Sequence, residues 1–396
     1  MHDLLIRGGR VIDATNGWDG LLDVAIDGHR ITAVGTDLVA DGVRQVLDAT
    51  GLLVTPGLVD LHTHSYWGVP PLGIEPDPHL LRRGVTTAVD AGSAGASTFP
   101  GFRRYVIDVA STRILALLNL SQIGMARDRG QPHEAAGELE DLRWARVDRA
   151  IEVARAHPEV VVGIKVRASA DIVGRDPAGC LEVLRRAREV ADAIGKPVMV
   201  HVGSTPVPLG ELVSLLRAGD IITHTFHGGP EGVLDESGRV RTAVWQAVER
   251  GVVFDVGHGA GSFSFDVARR ALAQGFVPAT ISSDLHAYNV DGPVYDLVTT
   301  ASKFLHLGLS LEDVLARITA APARAVGWLD RVGTLAPGAE ADVTLLRVAE
   351  GAFPFRDSRG RVETGGRRIE AVAVVRAGRV LTCSAASPVP APASAR

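Results

Sequence analysis

From Gly57 to Ala287 the chain alternates short apolar runs with longer stretches whose apolar residues recur at helical spacing. The runs are GLVDLHTH (57–64), TTAVDAG (86–92), ILALLNLS (114–121), VVGIKVR (161–167), PVMVHVG (197–203), IITHTFHG (221–228), VVFDVGHG (252–259) and ATISSDLHA (279–287). Segments 134–156, 177–194 and 240–250 are helix candidates between them. Near-continuous apolarity suits parallel strands covered on both faces. Eight strand-like runs, each followed by a helical stretch, predict an α/β fold: a (β/α)8 TIM-like barrel over residues 57–328. A doubly wound open sheet is the competing architecture.

The two ends of the chain read differently. Residues 1–56 hold β-branched runs broken by Gly, Asp and Asn, and Asp27-Gly28 between two of them signals a hairpin. Strand character returns over 329–385, with a turn at Ala377-Gly378. The two ends are expected to pair into one small composite β domain, a β-sandwich beside the barrel. The Pro/Ala/Ser-rich tail 386–396 is expected to be disordered.

Bulk properties exclude several classes. A net charge of -5 leaves no basic footprint for nucleic acid. No apolar run is long enough to span a bilayer, and the N-terminus lacks the apolar stretch of a signal peptide. Cys180 and Cys383 form neither a disulfide framework nor a CxxC pair, so a reduced cytoplasm is expected. The expected partners are a small-molecule substrate and further copies of the chain in a homo-oligomer. Only three of the 41 cationic residues are lysines: Lys165, Lys196 and Lys303. A lysine kept inside an apolar run invites a reason specific to amine chemistry.

Five of the runs carry six residues of types that bind metals, near the end that faces the active-site mouth of such a barrel. His62 and His64 lie two apart on a strand and share a face; the alternative is a surface turn pair. Lys165 is either a lysine snorkelling from a strand end or a buried amine, deprotonated by desolvation and carbamylated. His201 and His224 stand at equivalent places on successive runs, and imidazole suits zinc, manganese and iron. His227, three residues further, reads as a rim residue. Asp284 is either a ligand and proton acceptor or a helix N-cap. Arg167, His258 and Ser262 are candidate substrate-binding residues, with rim salt bridging or loop structure as the alternative. The glycines of DVGHGAGSF lack the dinucleotide spacing, and no GxSxG elbow is present.

The motif string TPGLVDLHTH, GIKVR, VMVHVG, ITHTFHG and SSDLHA resembles the amidohydrolase superfamily. HTHSYWG, NLSQIGM and DVGHGAGSF extend the resemblance to its amidohydrolase/deacetylase metallohydrolases, which include acetyl-mandelate-hydrolysing enzymes. The resemblance covers nearly the whole chain. It implies two divalent metal ions, with zinc expected. His62, His64 and Asp284 would hold the more buried ion and His201 and His224 the more exposed one. An N6-carboxylysine at Lys165 and a hydroxide would bridge them. Dihydroorotases place an arginine just after the HxH; here Ser65-Tyr66-Trp67 follow.

The expected function is therefore a binuclear metal-dependent hydrolase that cleaves an acyl ester or amide of a small acid. The bridging hydroxide would attack the carbonyl and Asp284 would carry the proton. A cyclic amide hydrolase of the dihydroorotase or hydantoinase type is the alternative. A barrel scaffold without catalysis is a third reading, and such a scaffold would lack ligands that this chain retains.

Overall fold

A computed structural model describes residues 2–126 and 138–384. Seven parallel strands follow one another around a curled sheet: β1 (Leu58–Thr63), β2 (Val85–Gly95), β3 (Arg113–Asn119), β4 (Val161–Arg167), β5 (Val198–His201), β6 (Ile221–Thr223) and β7 (Val253–Phe254). Their alternating residues divide into two cores. Leu115 and Leu117 face a lumen cluster with Leu61, Val89, Met199 and Ile221. Ile114, Ala116 and Leu118 pack outward under the helices.

The eighth run forms no ladder. Instead, isolated parallel bridges Asp255↔Thr280 and Thr63↔Leu285 tie residues 279–287 to both open edges and close the barrel. The reason lies in its polar middle. Ser282 Oγ accepts from the Gly257 amide at 3.0 Å, and the Ser283 amide donates to Asp60 at 3.0 Å. Side chains thus satisfy main-chain groups that a ladder would otherwise pair.

The helix expected at 177–194 is present as Pro177–Ile194. Asp176 caps it, accepting from the Ala178 and Gly179 amides, and Gly195 ends it in the left-handed conformation (φ 65°). The 240–250 candidate is Thr242–Glu249. The 134–156 candidate is corrected: only Val147–Ala156 is helical, and 134–137 lie outside the described residues. The stretch before it uses its amides elsewhere, as in Leu139 N to Ile172 O at 3.0 Å, and its carbonyls likewise, Trp144 O accepting from the Gln122 amide at 2.9 Å.

The chain ends build two packed sheets. One orders Arg30–Gly35, Asp23–Asp27, Leu4–Arg7 and Gln45–Asp48; the other orders Arg379–Thr382, Val362–Arg376, Val343–Arg356, Leu53–Pro56, Arg10–Asp13 and Trp18–Leu21. The ends meet where Val343–Arg356 runs antiparallel to Leu53–Pro56. Leu4, Ile6, Val24 and Ile26 of the first sheet bury against Val54, Val343, Leu345 and Val375 of the second. The long hairpin 343–376 extends past its sheet, and its tip reaches the barrel: the Ser358 amide donates to Phe263 O at 3.0 Å and the Phe265 amide to Asp357 at 3.1 Å. The tail 386–396 lies outside the described residues.

Candidate metal centre

The ends of the barrel strands bring His62, His64, Lys165, His201, His224 and Asp284 around one cavity of about 180 Å³; its lining includes all of them except His224, whose Nε2 lies 2.6 Å from His201 Nδ1. Asp284 Oδ1 lies 3.3 Å from His62 Nε2 and 3.1 Å from His64 Nε2. Lys165 Nζ is 3.3 Å from His62 Nε2. The donor atoms of His62, His224 and Asp284 all lie within 4.8 Å of one another. Asp284 Oδ1 is buried without a hydrogen bond among the described residues. A buried carboxylate oxygen left unpaired amid imidazole nitrogens is costly on its own and is satisfied by a cation. The donor set fits divalent metal.

Two of these residues take unusual backbone. His224 (φ 72°) and Asp284 (φ 49°) are left-handed, a conformation that non-glycine residues adopt rarely and that clusters at functional sites. No helix starts at Asp284. The next one is Leu297–His306, and Asp296 caps it, so the N-cap reading of Asp284 falls away.

Behind the imidazoles stand buried carboxylates. His62 Nδ1 meets Thr223 Oγ1 at 2.9 Å, and that hydroxyl donates to Asp255 at 2.8 Å. His64 Nδ1 meets Ser93 Oγ at 3.0 Å, and Asp90 accepts from the Ser93 amide at 2.8 Å. His224 Nδ1 donates to Gly257 O at 2.7 Å. The Nδ1 contacts of His62 and His64 turn the Nε2 of each ring towards Asp284, that of His224 turns its Nε2 towards His201, and all three fix ring orientation, as partners behind metal-binding histidines do.

Burial sets the protonation states. It pushes His64 down to about 3 and His224 to about 4, and holds His62 and His201 well below the usual imidazole range, so all four rings are neutral, the form that binds metal. Burial also lowers Lys165 to about 7, which puts a free amine within reach at neutral pH.

Comparison with known proteins places this arrangement. The chain is 37% identical to the deacetylase Atu3266 of Agrobacterium fabrum over 349 residues, spanning 88% of this chain and 84% of that protein. It is 32% identical to a deacetylase of Enterococcus faecalis over 96% of this chain and 99% of that protein. The chain belongs to the amidohydrolase family, in its deacetylase branch. It is a metal-dependent hydrolase of that group. The amidohydrolase family model matches residues 255–382. A solved adenine deaminase is similar over 96% of this chain and 100% of its own, with TM-score 0.88 and 32% identity. A dihydroorotase of Geobacter sulfurreducens is 28% identical over 73% of this chain and 62% of its own length.

The substrate-binding candidates separate. Ser262 lines the cavity. Arg167 also lines it, but its guanidinium is held by Glu138 through bonds of 2.9 and 2.6 Å. His258 requires correction. Its ring is fully buried, stacked on Phe263 with centroids 4.6 Å apart, and its Nε2 accepts from Lys303 Nζ at 2.7 Å. Lys303 is buried on the helix Leu297–His306 and among the described residues makes one other hydrogen bond, to Pro293 O. The ring's remaining nitrogen donates to Gly259 O, so neither nitrogen is left for substrate. Sequence reading missed Leu72, Met125, Ala260, Gly261 and His286, which complete the lining. His286 had a signal: it lies two residues beyond Asp284 in the same run.

Proposed function

We propose that the chain holds two divalent ions, zinc by preference, and removes a short acyl group from an ester or amide of a small acid. His62, His64 and Asp284 would hold one ion, His201 and His224 the other, and Lys165, as a carbamate, would serve as a ligand to both. The reading rests on the convergence of six side chains from five barrel segments around one cavity, with Asp284 Oδ1 lacking any hydrogen bond among the described residues. When bound, such a metal pair supplies a nucleophilic water near neutral pH and polarises the scissile carbonyl.

The protein's own groups do the rest. The uncharged Lys165 amine adds to carbon dioxide; the new N–C bond leaves a carbamate and releases one proton. Asp284 takes a proton from the attacking water and delivers it to the leaving oxygen or nitrogen. Thr223 and Ser93 hold the rings of His62 and His64 in place. Both cysteines are unpaired, which suits the cytoplasmic setting we propose. Assays of acyl hydroxy acids and acyl amino acids beside hydantoin and dihydroorotate test the reading. Deacylation with no ring opening is expected. Rapid ring opening with no deacylation would replace it with the cyclic amide alternative.

A further inference from the structure

The cavity contains two hydrogen-bond donors that no other described residue uses. His286 is buried, and its Nδ1 accepts from the Tyr288 amide at 3.2 Å, so the proton of the neutral ring is on Nε2. That nitrogen has no partner among the described residues, and the ring lines the cavity 6.2 Å from the His64 centroid. The turn that carries it is tied down at three points. The His286 amide donates to Asn289 Oδ1 at 2.9 Å, the Asn289 side chain to Asp284 O at 2.8 Å, and the Ala287 amide to Leu72 O at 2.9 Å. Ser262 Oγ faces the same cavity and likewise has no partner among the described residues.

The guanidinium that lines the cavity is committed. Arg167 makes a two-point pair with Glu138, which is itself 2% exposed, so the local charge is cancelled. Leu72 and Met125 supply the apolar lining. At about 180 Å³ the cavity lies below the volume of sites for drug-sized ligands and suits a short acyl group with a compact leaving group.

We propose that His286 Nε2–H and Ser262 Oγ–H are the substrate-contacting pair that grips an acceptor on the leaving group, selecting short-chain acyl esters and amides with a hydrogen-bond acceptor next to the scissile bond. This rests on the deacylase reading above and names the part of the substrate that the protein recognises.

The test uses metal-replete full-length protein and two acetyl esters. 2-Acetoxypropanoate carries an acceptor beside the ester; 4-nitrophenyl acetate does not. His286→Ala should lower kcat/KM for the first by about 10- to 100-fold and for the second by no more than about threefold, the size expected for one hydrogen bond. Ser262→Ala, on a partly exposed loop, should move in the same sense by about five- to tenfold and serves if His286→Ala does not fold. Equal loss on both esters in whichever variant folds, or wild-type protein that cleaves only 4-nitrophenyl acetate, would overturn the pairing while leaving the deacylase reading intact. Wild-type protein that cleaves neither ester would instead count against the deacylase reading itself.

Discussion

Lys165 sits 3.3 Å from the His62 ring nitrogen with its amine brought to about 7 by burial. Replacing it tests the carbamate without touching a histidine. Lys165→Ala should lower kcat by about 1000-fold or more, and millimolar acetate or propionate should restore part of it by standing in for the missing carboxylate. Full activity without additive would contradict the bridge. His227 offers a different kind of check. Burial pushes it down to about 4, and its Nε2 is buried without a partner among the described residues. Between pH 6.5 and 4 the unfolded chain holds a proton there that the folded chain refuses, so this residue removes stability as pH falls through that window. His227→Asn should flatten the pH dependence of unfolding by about 1.4 kcal/mol per pH unit relative to wild type; identical slopes in urea melts would refute the assignment. At this scale the sequence was informative where side-chain chemistry is distinctive. HxH, a lysine inside an apolar run and an aspartate at a strand end all signalled the cluster. Whether a donor is free or spent was hidden: Glu138 and Lys303 claim Arg167 and His258 from 29 and 45 residues away, a distance no local pattern reports.

Among the elements, the alternation of apolar run and helical stretch located seven barrel strands and the helices Pro177–Ile194 and Thr242–Glu249. The eighth run was seen, but its lack of a ladder was not, because the pairing depends on Asp60 and Asp255 meeting Ser283 and Ser282 across the barrel. The reach of hairpin 343–376 was also unreadable, since strand propensity says nothing about what a tip touches. Yet that tip bears on the site. Asp357 is 2% exposed and accepts from the amides of Phe265, Arg359 and Arg361, while Ser358 Oγ donates to Gly259 O at 2.9 Å. It thereby braces the loop that presents Ser262. Asp357→Ala leaves the buried Phe265 amide unpaired and should cost about 1–3 kcal/mol in chemical melts. It should also lower kcat/KM for an acyl substrate. Unchanged stability would show that the tip does not brace the loop.

For the whole molecule, the terminal sheets and the barrel meet through both ends of the chain, an arrangement that the matching strand character of 1–56 and 329–385 anticipated. No helix among the described residues is long and apolar enough to cross a membrane. The proposed ligands lie on β1 and just after it, on β4 and β5, just after β6 and in the closing run, so metal binding would favour the closed barrel over the open chain. Stripping metal with a chelator should lower Tm, and restoring it to a free concentration about 1000 times Kd should return about 4 kcal/mol; a Tm indifferent to chelation would argue against a structural tie between centre and barrel. The most direct measurement is metal content by mass spectrometry on protein purified without chelators, wild type beside Lys165→Ala. About two transition-metal ions per folded wild-type chain and no more than one in the variant are expected. A folded, wild-type chain that binds none would contradict the metal centre.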